Sequence, residues 1–281
     1  MTVERAIYVA WWAMPRPVIE ANRIYFGHET CEHLLPSPRA AAELVAWAES
    51  AGMAVTLVTP FLGDGGVKLA LKIIERILAS CSALEVVFGD WGLLHELRRY
   101  PQVQPVLGRL LAVQPVDPRL ARIFSENEPA TRRAEHLDGT PCTIVREPAS
   151  PLLKAHLQSA WLCRPDVQRL LQTSFRVERA EVSFPAQGLR LEAIEGWAFS
   201  LHADEALLSV MRTCPHSVAQ FRTGGPCTLG GCEERETIWH SDQFPAPVLR
   251  RGNALYVQTR VTEAAVRSLP VDRLVWRHRQ H

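Results

Sequence analysis

Three cysteines, Cys214, Cys227 and Cys232, lie close together in the C-terminal half of the chain, and Cys31 lies near its beginning. Thiolates bind a metal only when they converge on one point, so the backbone between them must turn tightly and carry little bulk. The segments around the three C-terminal cysteines are rich in glycine and contain prolines. Glycine N–H groups can also point at sulfur and stabilise its negative charge. The spacing therefore favours a cysteine-ligated site over a glycine-rich turn that holds small buried thiols.

The chain has seven cysteines in 281 residues. A chain of this length can bury a sizeable core without disulfides, and an odd count with one dense group fits a reducing compartment and a metal. Cys81, Cys142 and Cys163 stand alone in apolar or strand-like surroundings, which indicates inert core thiols. The apolar run at residues 6–14 is too short to span a bilayer and lacks the cleavage pattern of a signal peptide. We expect a cytoplasmic protein with no transmembrane segment.

The overall charge excludes some classes of partner. The composition is 47% hydrophobic and 22% charged, and the formal net charge is +1. No whole-molecule field would recruit nucleic acid or an anionic membrane, and no basic stripe with interleaved aromatic residues is present. Nucleic acid is therefore not expected as a partner.

Strand-like and helix-like segments alternate in the first half of the chain at about thirty-residue spacing, which predicts right-handed βαβ units and a parallel sheet. The predicted strands are 6–12, 23–27, 54–60, 83–89 and 104–111, and the predicted helices are 40–50, 67–80 and 91–99.

The second half of the chain is less regular. A hairpin turn is expected at Gly252-Asn253, between segments with strand character. A helix over 203–212 would lead directly to Cys214. The remaining predicted strands are 141–145, 175–184 and 189–196, and the remaining predicted helices are 150–161, 164–171 and 264–269.

Two further residues at predicted strand ends are candidates for catalysis, because barrel enzymes place their chemistry there. Asp90 follows one predicted strand, and its alternative role is a helix N-cap, which we favour. Arg109 could hold a substrate carboxylate by two hydrogen bonds or pair with an internal acid. Histidines near the thiols in sequence could carry a proton or donate to sulfur, although each alone more often has a structural role. They are His28, His33, His202 and His216.

The segments Ile24–Cys31, Phe88–Gly92 and Leu107–Leu111, together with the cysteine group, give the chain a family resemblance. It resembles the U32 peptidase-like (collagenase-like) family from about residue 5 to about residue 260, most of all the iron–sulfur subgroup of ubiquinone biosynthesis, UbiU and UbiV. The resemblance implies a single TIM-like (β/α) barrel over residues 1–281, whether complete, incomplete or distorted, with a C-terminal cluster-binding segment at about 196–240.

The resemblance also implies a cofactor. By position, Cys31, Cys214, Cys227 and Cys232 would bind a [4Fe–4S] cluster. The four residues between Cys227 and Cys232 are one more than is usual in the subgroup, a difference that a glycine-rich loop can absorb. Four thiolates also suit a structural zinc ion, although such a site usually shows two closely spaced cysteine pairs.

The activity that the resemblance implies is oxygen-independent hydroxylation of an aromatic ring, with a quinone precursor as substrate and prephenate as the oxygen donor. A related U32-like chain would be the partner in a heterodimer. Two alternatives remain, an electron-relay subunit without catalysis and an RNA-base hydroxylation factor. Peptidase activity is not expected, because the His28–His33 segment is not a zinc-protease motif and no Gly-x-Ser-x-Gly elbow occurs.

Overall fold

A closed barrel of eight parallel strands forms the centre of the computed structural model, which describes residues 3–10, 21–125, 128–212, 214, 236–242, 244, 246–259 and 261–278. In chain order the described elements are β1 (Glu4–Tyr8), β2 (Arg23–Gly27), α1 (Pro38–Ser50), β3 (Ala54–Val58), α2 (Asp64–Leu78), β4 (Leu84–Phe88), α3 (Trp91–Leu97), β5 (Val103–Leu107), α4 (Arg109–Ala112), α5 (Leu120–Ser125), β6 (Ala130–Glu135), β7 (Pro141–Arg146), α6 (Pro151–Gln158), α7 (Pro165–Phe175), β8 (Arg179–Ser183), β9 (Ala198–His202), β10 (Glu205–Val210), β11 (Glu236–Trp239), β12 (Val248–Arg251), β13 (Ala254–Gln258), α8 (Glu263–Arg267) and β14 (Val271–Arg277).

The barrel strands follow one another around the barrel in chain order, β1, β2, β3, β4, β5, β8, β9 and β14. The pairing of Glu4 with Arg273 and of Ala6 with Val275 closes β14 onto β1. Because every pair is parallel, the carboxyl ends of all eight strands meet at one mouth of the barrel. The prediction of a TIM-like barrel is confirmed, and the barrel is closed.

The barrel interior has an apolar middle layer and, below it, a charged layer near the amino ends of the strands. The buried apolar residues there are small or aromatic: Ala6, Tyr8, Tyr25, Val58, Val87, Val106 and Val275. Below them, the Arg273 guanidinium donates to both carboxylate oxygens of Glu85 (2.6 and 3.1 Å) and to Glu4 (2.5 Å). Burial of charge is tolerated here because the charges are paired and hydrogen-bonded.

The helices pack on the outside of the barrel through apolar stripes. In α2 the buried residues Ala70, Ile73, Ile74 and Ile77 recur at the three- and four-residue spacing of one helix face. They join the main hydrophobic core together with residues of α1, α3 and the outward faces of the strands. The helix spacing read from the sequence therefore reflects real packing against the sheet.

Two connections carry additional structure. The chain between β5 and β8 includes the antiparallel hairpin β6–β7, and the chain between β9 and β14 includes a four-stranded antiparallel sheet with the order β10, β13, β12, β11. The predicted turn at Gly252-Asn253 is confirmed, because Arg251 pairs with Ala254 across a two-residue connection. The predicted cysteine group lies on the connection between β10 and β11.

Three segment predictions are wrong. Residues 203–212 contain strand β10 rather than a helix, because their helix-forming residues pair with β13 in the added sheet. Residues 189–196 form no strand: the buried Gln168 side chain donates to Glu192 O (2.6 Å) and accepts from Ile194 N (2.9 Å). The predicted strand 104–111 ends at Leu107, and α4 begins at Arg109.

Candidate functional site

Cys31 and Cys214, far apart in sequence, line one cavity of about 240 Å³. Apolar side chains of Phe61, Leu62 and Val210 form part of its wall. Polar groups line the rest: Thr30, Glu32, His33, Arg212 and Asn253. The two cysteines thus share a partly apolar cavity beside the barrel mouth.

The turn after β2 positions Cys31. Gly27 has φ +103°, and a Cβ at this residue would lie 2.3 Å from Val58 O, so only glycine fits where the strand ends. His28 Nδ1 then accepts hydrogen bonds from the backbone N–H groups of Thr30 (3.2 Å) and Cys31 (2.9 Å). This acceptor role places the ring proton of neutral His28 on Nε2. The histidine therefore shapes the loop that presents the thiol.

Glu32, next to Cys31, lies against the beginning of α2. Its carboxylate accepts a hydrogen bond from Gly63 N (2.8 Å). Gly63 is the N-cap residue of α2 and has no side chain with which to cap the helix itself. A Cβ on Gly66 would lie 2.2 Å from Glu32 Oε2, so the glycines of Gly63-Asp-Gly-Gly66 make room for this carboxylate. A negative charge at a helix N-terminus is favourable, and it ties the cysteine turn to α2.

Cys214 follows β10 and is half-buried. Just before it, the Arg212 guanidinium lies 5.5 Å from the centre of the Phe61 ring, and both residues line the cavity. The added sheet thus carries Cys214 to the same place that the barrel carries Cys31.

The other five cysteines fall into three groups. Cys227 and Cys232 lie outside the described residues. Among the residues that the structure describes, no three His, Cys, Asp or Glu side chains lie close enough together to hold a metal ion. Cys81 and Cys163 are buried, and burial raises the pKa of the Cys81 thiol, which lies 3.0 Å from Glu49 Oε1. Cys142 is half-buried on the β6–β7 hairpin.

Arg109 lies at the barrel mouth and is paired with an internal acid. Its Nε and Nη2 donate to the two oxygens of Glu29 (2.8 and 2.6 Å), and its Nη1 donates to Glu205 O (2.8 Å). Burial alone would raise the pKa of Glu29, but the Arg109 guanidinium outweighs burial and lowers it below its ordinary value. The carboxylate partner that the sequence left open is therefore Glu29, one residue before Thr30 of the cavity wall.

A small space of about 10 Å³ borders the Arg109–Glu29 pair, and its lining residues all have polar side chains. His202 lines it and is hydrogen-bonded through Nε2 to Glu181, which in turn accepts from the Tyr25 hydroxyl (2.8 Å). Asp204 also lines it, and burial together with the negative charge of Glu205 raises the pKa of Asp204. The lining residues are Tyr8, Glu29, Arg109, His202, Asp204, Glu205 and Arg277.

Asp90 has the capping role that we favoured from the sequence. Its side chain accepts from Gly92 N (2.8 Å) and Leu93 N (3.2 Å) at the beginning of α3. It lines neither the cysteine cavity nor the space at the barrel mouth. A catalytic role for Asp90 stays a prediction.

Three residues of this region were not selected from the sequence as candidate site residues: Glu29, Glu205 and Asn253. Glu29 stands two residues before Cys31, and Asn253 stands in the predicted hairpin turn, so their positions were visible but their contacts were not. Burial raises the pKa of Glu205, but hydrogen bonds and charge from Arg251 dominate and bring it to about 2. His216 lies outside the described residues.

Comparison with known proteins adds one similarity. No family model and no curated protein matches the chain. A solved structure described as the U32 peptidase Mk0906 is similar over 100% of this chain and 95% of that chain, with 12% identity and a TM-score of 0.43. Within the described residues, no helix combines the length and apolar character needed to cross a membrane.

Proposed function

We propose that this chain is a U32-like [4Fe–4S] protein that takes part in oxygen-independent hydroxylation of an aromatic ring. The observation that carries the proposal is the shared cavity of Cys31 and Cys214, two of the four cysteines that the family resemblance implies as cluster ligands. Thiolates separated by most of the barrel are ligands of one group only if the fold brings them together. Cys227 and Cys232 would be the other two ligands.

The residues present fit such a group. Thiols are its normal ligands, and the apolar wall of Phe61, Leu62 and Val210 would limit access of water. Arg212 would add positive charge beside an anionic centre. When all its irons are bound by cysteine, the cluster supplies one-electron transfer and offers no open iron to a substrate.

The chain's own residues would hold the two ligand segments in place. The His28 ring fixes the backbone of the Cys31 turn, and Glu32 anchors that turn to the N-terminus of α2. On the other side, the buried Glu205–Arg251 pair fixes the beginning of β10 against β12. These contacts support a preformed cavity, which limits the entropy lost when a ligand binds.

The finer function extends the resemblance read from the sequence. The substrate would be a quinone precursor of ubiquinone biosynthesis, with prephenate as the oxygen donor and a related U32-like chain as the partner in a heterodimer. The small polar space beside the cavity, with His202 and Asp204, would provide groups that exchange protons at the barrel mouth. Arg109 would serve there as the partner of Glu29.

Anaerobic purification tests the proposal. We expect a coloured protein with broad visible absorption and about four irons and four sulfides per chain. A Cys214→Ala variant should lose the colour and the iron, and a Cys163→Ala variant is the matched control because that thiol is buried elsewhere. Co-purification with a related chain, and loss of ring hydroxylation when either chain is absent, would test the partner.

A colourless protein that holds zinc at the same cysteines would contradict the redox function and leave a structural site. A cluster that survives the Cys31→Ala or Cys214→Ala substitution would contradict the ligand assignment. A salt-sensitive RNA complex would instead support the RNA-base alternative.

A further inference from the structure

One side chain contacts both cysteine-bearing segments. Asn253 Nδ2 donates to Thr30 O (2.6 Å), in the residue before Cys31, and to Met211 O (2.9 Å), three residues before Cys214. Met211 N donates in return to Asn253 O (2.8 Å). The Asn253 side chain is buried, with 7% of the residue exposed. Two segments that are remote in sequence thus meet at a single amide.

The orientation of this amide follows from its partners. Both are backbone carbonyl oxygens, which can only accept, so the nitrogen must face them. The oxygen Oδ1 is buried and has no hydrogen-bond partner among the described residues. A buried acceptor without a partner is costly, so apolar packing does not account for an asparagine here. Its two donor bonds do.

The hairpin holds Asn253 in place. Gly252 has φ +58°, as the first residue of a two-residue turn requires, and Arg251 and Ala254 pair on either side. Arg251 is itself held by Glu205 at 2.9 and 2.8 Å. The Asn253 amide therefore projects from a paired hairpin, and not from a loop that could shift together with the cysteine segments.

We propose that Asn253 is the positioning residue of the cysteine cavity, holding the Cys31 turn and the Cys214 segment at the separation that a shared ligand needs. The inference rests on the proposed function only in naming that ligand as the cluster. Asn253 binds no ligand itself in this role: it acts through the backbone on either side of it.

The test uses the full chain in metal-free and iron-reconstituted forms. Dibromobimane, which joins two neighbouring thiols, is applied to the metal-free protein, and peptide mapping gives the ratio of Cys31–Cys214 cross-link to singly modified product. Asn253→Ala removes the amide, and Asn253→Asp keeps its shape but removes both donors. Asn22→Ala is the matched control, because the Asn22 side chain accepts a hydrogen bond from Arg5 N (3.2 Å) and Asn22 does not line the cysteine cavity.

We expect the cross-link in the wild-type protein and in Asn22→Ala. In either Asn253 variant the ratio should fall about five-fold or more, the factor that loss of one or two such bonds gives. Iron release from the reconstituted protein to a chelator should accelerate by a similar factor. Alkylation of Cys81 and Cys163 should stay unchanged, which separates positioning from general loosening of the fold.

Absence of the cross-link in the wild-type protein would overturn the inference without any variant. So would an unchanged ratio in a folded Asn253 variant, or an equal rise in alkylation at Cys81 and Cys163. If the wild-type protein binds no iron but the cross-link still depends on Asn253, the positioning role stands and the proposed cluster is wrong.

Discussion

Replacing Arg251 by methionine should destabilise the protein strongly, because it leaves a buried carboxylate without its partner. Arg251 donates to both oxygens of Glu205 at 2.9 and 2.8 Å, and the two side chains are only 6% and 4% exposed. Breaking a buried pair by removing one member costs about 3–5 kcal/mol. The pKa of Glu205 gives a second route to the magnitude: a fall from 4.5 to about 2 corresponds to about 3 kcal/mol. Both routes give a fall in melting temperature of about 10 °C.

The pH dependence has a definite sign. In the wild-type protein the pKa of Glu205 is lower when folded, so its stabilisation is complete above pH 4.5 and is lost as the pH falls from 4.5 towards 2. In Arg251→Met, Glu205 loses the hydrogen bonds and the charge of Arg251 that lower its pKa most strongly, so the carboxyl should take up a proton at higher pH than in the wild-type protein. The difference in free energy of unfolding between the two proteins should therefore be largest at pH 7 and shrink as the pH is lowered.

Urea unfolding at several pH values measures this difference, and a double-mutant cycle isolates the pair. Glu205→Gln combined with Arg251→Met should recover much of the loss, with a coupling energy of at least about 2 kcal/mol. The control is Arg39→Met, which breaks an exposed pair with Glu43 and should change nothing measurable. A coupling energy below about 0.5 kcal/mol, or a deficit that does not shrink on acidification, would refute the reasoning.

Three substitutions test other parts of the site. Gly27→Ala places a Cβ 2.3 Å from Val58 O at φ +103°, so thermal unfolding should show a loss of at least about 2 kcal/mol, and an unchanged melting temperature would contradict the close approach. Gly66→Ala should push the Glu32 carboxylate off Gly63 N at a cost of about 1 kcal/mol, and this cost should shrink in a Glu32→Ala background, where the carboxylate is absent. Asp90→Ala should cost about 1 kcal/mol of stability through the lost N-cap while iron content and activity stay unchanged, and a selective loss of activity would instead reveal a catalytic role.

The barrel strands could be predicted from the sequence where both faces of the strand carry apolar or β-branched residues. β3 and β4 are apolar or β-branched over most of their length, and β2 was located to the residue. β14 was missed because Arg273 and Arg277 interrupt its apolar residues. The charge of Arg273 is compatible with a barrel strand because Glu85 and Glu4 lie opposite it inside the barrel, and no local sequence pattern shows this.

The candidate thiols could be selected from the sequence, but the residues that support them could not. Cys214 could be selected from the spacing of the C-terminal cysteine group and Cys31 from the family resemblance, and the two line one cavity. The N-cap role of Asp90 could be read from the sequence, but the partner of Arg109, Glu29, could not. Asn253 and Glu29 are ordinary residues whose importance comes from contacts across the fold, such as the one that joins Asn253 to Thr30.

The topology itself accounts for the meeting of the two cysteine segments. β2 and β9 are parallel members of one barrel, so both end at the same mouth. Cys31 follows β2 there, and the added sheet begins at Glu205, just after β9 ends at His202. Any insertion between β9 and β14 must therefore start at the mouth where Cys31 lies. What remains for individual side chains is to fix the final separation, and the Glu205–Arg251 pair and the Asn253 amide are placed to do this.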